Sequence, residues 1–281
     1  MRNVFIQAFT IGIRQWRIAA IVYVIQLCLA LTVGMEVHNV LASSIGNSLK
    51  INKLLSNYDH TVLTDFLKVH GASITPLIGQ VRWLLLVWLL FSVFIDAGLL
   101  VCAARPEQAT GRNFWQAGAQ YFFQFLKTSL FFLLLVLVWT VLVFLPIALF
   151  LEPSLQYFPS EKYSVWLVLV LLSLYLLGLA KLYIWSVLSR LDQISTGTSV
   201  FASLGNARRA FWKQKWALLG FVLGFVALQF LLLVVYWQLE AFGGMTSAAL
   251  IFLYFIVQQA FVFFRIQIRQ MMYAGMACIH T

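Results

Sequence analysis

Asp96 and Lys181 are single charges inside long apolar runs, and a third run holds the adjacent amides Gln258 and Gln259. A charge at the middle of a membrane helix costs about 2.5–3.5 kcal/mol, so each needs a partner or a wet cavity. An acid, a base and amides at one level are the residue types of a proton or ion pathway, or of a polar binding site. They serve equally as a structural layer in which Asp96 pairs with Lys181 and fixes how the helices dock. Ser92, one helical turn before Asp96, is spaced to donate to the carboxylate. A further alternative lets Lys181 snorkel alone to the inner surface. The structural pair is favoured, because charges inside a membrane pair whether or not anything moves through it.

Other chemistries lack their residues. The chain has no HExxH, GxSxG or phosphate-binding glycine loop. Asp96 has no second membrane carboxylate with which to form an aspartyl dyad, and no histidine lies within an apolar run to act as a base. His38, His60 and His70 share a loop with Asp59 and Asp65, but their spacings match no metal-ligand pattern. Cys28, Cys102 and Cys278 include no CxxC and read as small apolar fillers. The expectation is a non-catalytic chain with neither metal nor cofactor.

The elements that carry these side chains follow from composition. The chain is 62% hydrophobic and 10% charged; soluble domains carry about a quarter charged residues, so the apolar excess must face lipid. Six runs are long enough to span a bilayer, or nearly so: Ile18–Val33, Trp83–Ala104, Ser129–Leu151, Val165–Leu188, Ala217–Trp237 and Ala248–Phe264. The formal charge of +10 does not point to nucleic acid, because the basic residues lie at the ends of these runs. Arg14 and Arg17 before the first run resemble a signal-peptide n-region, but that run belongs to a six-span pattern and reads as an uncleaved helix. Basic residues collect on one side (Arg14, Arg17, Arg105, Arg112, Arg190, Arg208, Arg209, Lys213, Lys215), and acidic ones on the other (Glu36, Asp59, Asp65, Glu152, Glu161, Glu240). That bias puts both termini in the cytoplasm and the basic residues against anionic headgroups or a protein partner. Trp83, Trp166 and Trp237 fall at outer interfaces, and Trp16, Trp212 and Trp216 at inner ones.

The stretch Asp96–Gly111 parallels Lys181–Gly197. Each runs from its lone charge to an arginine nine residues on (Arg105, Arg190), then to a carboxylate (Glu107, Asp192), a glutamine (Gln108, Gln193), a hydroxyl and a glycine. Helical polar stripes precede the first, third and fifth spans: Asn3, Gln7, Thr10, Arg14, Arg17; Gln116, Gln120, Gln124, Lys127; Ser199, Ser203, Asn206, Arg209, Lys213. Aromatic residues oppose them, as suits helices lying in a cytoplasmic interface, although plain extensions of the spans give the same pattern. The fold expected is all-α, one polytopic domain over 1–281. It comprises three hairpins (about 1–104, 112–190 and 198–270), each led by a cytoplasmic amphipathic helix, with an external loop over 35–81. Within that loop Asp59 would cap a helix that Gly71 stops. Gly220 and Gly224 form a close-packing GxxxG, and Pro146 bends or ends the third span.

The segment Ser199–Phe221, SVFASLGNARRAFWKQKWALLGF, resembles the cytoplasmic elbow of the bacterial six-span membrane domain found in some glycerophosphodiester phosphodiesterases and related proteins. The resemblance implies a bacterial inner-membrane protein that accompanies another activity. The acidic metal ligands of the phosphodiesterase are missing here, so that activity is not implied. The expectation is an accessory or scaffold subunit with a protein partner or a second copy. The alternatives are a small transporter or channel through the Asp96/Lys181 layer, and a lipid-modifying enzyme using the external loop.

Overall fold

The computed structural model describes residues 2–45, 60–157, 161–242 and 248–280. Among these residues the chain is helical and has no strand. In order the elements are α1 (Arg2–Arg14), α2 (Trp16–Ile45), α3 (His60–Ala104), a 3-10 turn (Pro106–Gln108), α4 (Gly111–Tyr157), α5 (Glu161–Thr196), α6 (Val200–Lys213), α7 (Lys215–Phe242) and α8 (Ala248–His280). Six of them are long and apolar enough to cross a membrane, over Trp16–Asn39, Gly79–Ala104, Gly111–Pro146, Val165–Thr196, Lys215–Leu239 and Ala249–His280. This is the architecture of a multi-pass membrane protein.

Two compact units divide the chain, Ile21–Ser92 and the remainder, Met1–Ala20 with Val93–Thr281. The smaller unit holds most of α2 and the first part of α3. Its Thr32 and Ser92 hydroxyls donate to carbonyls of their own helices, Leu29 and Leu89, each at 2.7 Å. The clusters described below belong to the larger unit.

In the larger unit α1 packs along α8, α7 along α8, α6 back along α5, and α4 along α5. Its core is concentrated in the last turns of α3 and α5, in α6, and in the final third of α8, where Ile266–Ile268 and Gln270–Ala277 are all buried. The N-terminal helix, the α3–α4 and α5–α6 connections and the end of α8 therefore share one end of the unit. Phe5 and Phe9 of α1 meet Phe221 and Phe225 of α7, with ring centroids 4.7–5.8 Å apart. Gly275 lets α8 into this seam, because any side chain there would overlap the Phe221 ring. Both glycines of the expected pair are exposed, and Gly224 lies against the Phe5 ring.

Two helix breaks are built alike. Gln15 separates α1 from α2, and Gln214 separates α6 from α7. In each, the glutamine N–H is shared between the carbonyls three and four residues back, and its own carbonyl accepts from the residue four ahead. The regular helix is interrupted at each joint while the backbone groups stay bonded. The polar stripe before the third span has no such joint: Gln116–Lys127 lies inside the continuous α4. There Phe114, Gly118 and Phe125 are buried and Gln116, Gln120, Gln124 and Lys127 exposed.

Other expected boundaries shift. A single glycine costs a helix about 1 kcal/mol, too little to stop it, and α3 runs through Gly71 to Ala104. Asp59 lies outside the described residues, as do the side chains of His60, Asp65 and His70. Likewise α4 passes through Pro146 to Tyr157, and the tail after Phe264 is the buried end of α8.

Candidate functional site

Asp96 does not meet Lys181. Its carboxylate is shared by two arginines and a tyrosine. Arg190 Nη1 of α5 donates to Oδ2 at 3.1 Å, and Tyr273 OH of α8 donates to Oδ1 at 3.0 Å. Arg269 Nη2, also from α8, donates to Oδ1. Arg190 Nη2 reaches Ser129 Oγ of α4 at 3.0 Å, and its guanidinium lies 5.5 Å from the Phe125 ring centroid. Arg269 Nε donates to Tyr273 OH at 3.1 Å, and Tyr183 of α5 neighbours Tyr273. The carboxylate thus ties α3 to α5 and α8, and Arg190 carries the link on to α4.

Register explains the difference. Arg105 follows the end of α3, because Pro106 cannot continue it and disfavours helix at the preceding residue. Leu191 raises no such obstacle, and α5 continues past Arg190 to Thr196. At the helical rise, Asp96 lies about 12 Å from its helix end, Arg190 about 9 Å and Lys181 about 22 Å. Arg190 is therefore at the level of Asp96 and Lys181 is not. Lys181 is exposed, its ammonium 5.3 Å from the Trp212 ring centroid.

The rest of the expected layer is also dispersed. Gln258 is exposed and Gln259 half-buried, each about three helical turns or less before Arg269. Ser92 bonds its own helix at Leu89, not Asp96. Arg190, expected at headgroups, is buried as the ion-pair partner. Arg14, Arg17, Arg105, Arg112, Arg208, Arg209 and Lys213 are exposed. Lys215 is half-buried, its ammonium 5.2 and 5.5 Å from the Trp212 and Trp216 ring centroids. Among the described residues no group of histidine, cysteine and carboxylate side chains is arranged to hold a metal.

The charge balance of the Asp96 cluster is uneven, with two guanidiniums on one carboxylate. Arg190 Nε is buried without a hydrogen-bond partner. The side chains of Asp96 and Arg190 are 13% and 10% exposed, so their bond is shielded from water; Arg269, at 30%, keeps part of its hydration.

Two glutamine clusters flank it, and periodicity singled out neither as a site. Gln193 Nε2 donates to Thr128 Oγ1 at 3.0 Å and to Ser203 Oγ at 2.9 Å, joining α4, α5 and α6. Those hydroxyls spend their own protons on Gln124 O and Val200 O, so they can only accept from the amide. Gln15 Nε2 donates to Cys102 O at 2.9 Å and Gln15 Oε1 accepts from Gln270 Nε2 at 2.7 Å, while Gln267 Nε2 donates to Gly12 O at 2.9 Å. A glutamine between a basic residue and a tryptophan, as at Arg14–Trp16, was the available signal for that joint.

The cavity lined by Arg209, Lys213 and His280, of 360 Å³, and one lined by Arg105, Asn113 and Tyr121, of 180 Å³, both lie at the rim of the unit; Asp96 lines neither. No protein-family model, curated protein or solved structure matches the chain.

Proposed function

We propose that this chain is a non-catalytic accessory or scaffold subunit of a bacterial inner membrane, with both termini cytoplasmic. In this reading it is built from three hairpins related by an internal repeat and led by basic helices facing anionic headgroups. The observation that carries the scaffold reading is the Asp96 carboxylate, both of whose oxygens are occupied by cationic donors from other helices. A carboxylate held this way is a poor proton carrier, because taking a proton breaks the bonds that hold α3 to α5 and α8. The charge bias supports the orientation: the end of the unit holding α1, α6 and the end of α8 carries Arg14, Arg208, Arg209 and Lys213. The resemblance of Ser199–Phe221 to the elbow of the six-span domain agrees with a protein that accompanies another activity.

The transporter reading draws on the surplus positive charge of the cluster and on the unpartnered Arg190 Nε, which would suit a passing anion. Reconstitution into liposomes separates the two. The scaffold reading expects no proton, chloride or phosphate flux above empty vesicles, in wild type or in Arg190→Lys. A flux lost in Arg190→Lys would establish transport and sink the scaffold reading.

A further inference from the structure

Where α6 meets α7 and α8 ends, a cavity of 360 Å³ is walled by Arg209, Lys213, Gln214 and His280 and floored by Leu188 and Leu218. We infer that this cavity binds a phosphate-bearing anion, with the apolar portion of the ligand on the two leucines. The inference deepens the reading that the basic helices meet headgroups, and names the site.

Charge comes first. Arg209 and Lys213 stand one helical turn apart on α6, an arrangement that is repulsive without an anion between them. Neither is ion-paired among the described residues. The ends of α6 and α8 each contribute about −0.5 of a charge, and the start of α7 returns about +0.5. The helix ends thus leave about −0.5 against two full cations. Asp192 lies behind this wall, accepting from Asn206 Nδ2 at 3.1 Å and Thr198 Oγ1 at 3.2 Å. Counting it, the balance stays positive.

The donors select the anion. A guanidinium, an ammonium, an amide and an imidazole, drawn from α6, the Gln214 joint and α8, suit a group with three or four acceptor oxygens better than a two-oxygen carboxylate. Leu188 and Leu218 are buried and give the floor an apolar character that a bare inorganic ion would not use. Next to the lining residues Lys213 and Gln214 in the chain, Trp212 and Trp216 are exposed by 51% and 76%, with the Lys181 ammonium over the Trp212 ring and the Lys215 ammonium over both. Such a basic aromatic stretch is suited to the headgroup level of a membrane. The phosphate belongs either to a lipid headgroup or to a soluble ester.

The test uses the full chain in nanodiscs and in neutral detergent, reading tryptophan fluorescence. The probes are phosphatidylglycerol against phosphatidylcholine, and inorganic phosphate. Saturable binding of a phosphate probe is expected to weaken about tenfold or more in Arg209→Gln with Lys213→Gln, and to persist in the control Arg265→Gln. Both substituted residues are exposed, so folding is retained, and a melting curve checks it. Response to phosphatidylglycerol alone assigns a headgroup site; competition by inorganic phosphate assigns a soluble ester. Unchanged affinity in the double variant, or an equal loss in Arg265→Gln, would overturn the site. An Arg190-dependent flux would end the scaffold reading without touching this one, because Arg190 does not line the cavity.

Discussion

At Asp96 one acid answers two bases, and the three cannot be exchanged freely. Asp96→Ala strands Arg190 in a site where its side chain is 10% exposed. Breaking a buried pair from one side costs about 3–5 kcal/mol, with the share belonging to the wetter Arg269 discounted. Joint replacement by apolar residues, Asp96→Leu with Arg190→Met, removes the stranded charge and is expected to recover much of the loss. Lys181→Ala removes only an exposed contact with Trp212, worth below about 1 kcal/mol. Melting temperatures in mild detergent should therefore rank Lys181→Ala near wild type, the double variant below it and Asp96→Ala lowest. Gln193 makes a sharper point about donors. Since Thr128 and Ser203 must accept from it, Gln193→Glu sets acceptors against acceptors in a site with no exposure. Gln193→Met loses the bonds without that conflict. The glutamate variant should melt below the methionine variant by about 1–3 kcal/mol of stability.

Helix ends decided which side chains meet. The apolar runs of α3 and α5 are legible because their length and hydrophobicity leave no other solution. The two arginines nine residues past Asp96 and Lys181 look equivalent, but Pro106 stops one helix while Leu191 lets the other continue. Composition therefore located the charges, and one proline changed their pairing. Close approaches between helices were less legible, since a glycine in an apolar run carries no mark of what it faces. Gly275 touches the fully buried Phe221 ring, whereas Gly205, inside α6, has nothing within 4 Å of where a side chain would begin. Gly275→Ala must force α7 and α8 apart and is expected to destabilise by about 1–3 kcal/mol. Gly205→Ala fills open space in a helix and should stabilise by about 0.5–1 kcal/mol. Thermal melts of the two variants should move in opposite directions. A melt raised by Gly275→Ala would mean that the Phe221 seam is not tightly packed.

Across the whole molecule, burial and apolar character part company. The apolar stretch Val165–Leu177 of α5 is largely exposed, as a lipid-facing span would be, while the buried core gathers at the end holding α1, α6 and the last third of α8. The sixth run, as read from the sequence, ends at Phe264 because the glutamines, arginines and methionines of Arg265–His280 read as a polar tail. Three of its polar residues close onto other helices: Gln267 onto α1, Gln270 onto the α1–α2 joint and Arg269 onto Asp96. Its Met271, Tyr273 and Met276 fill the space between. If this segment is core, a stop after Phe264 leaves the shared end of the apolar runs with only part of its contacts. Asp96 would keep Arg190 but lose Arg269 and Tyr273, and the Phe221 seam would lose the helix that backs it. The truncated chain should still insert, since insertion reads apolar length, yet be cleared by proteolysis and fail to give a cooperative melt after extraction. Full-length protein with the shared carboxylate removed by Asp96→Asn should fall between wild type and truncation, because it keeps the glutamine contacts and the apolar packing of the same segment. A truncated chain as stable and monodisperse as wild type would show that the end of α8 is an appendage and that the spans hold themselves together within the bilayer.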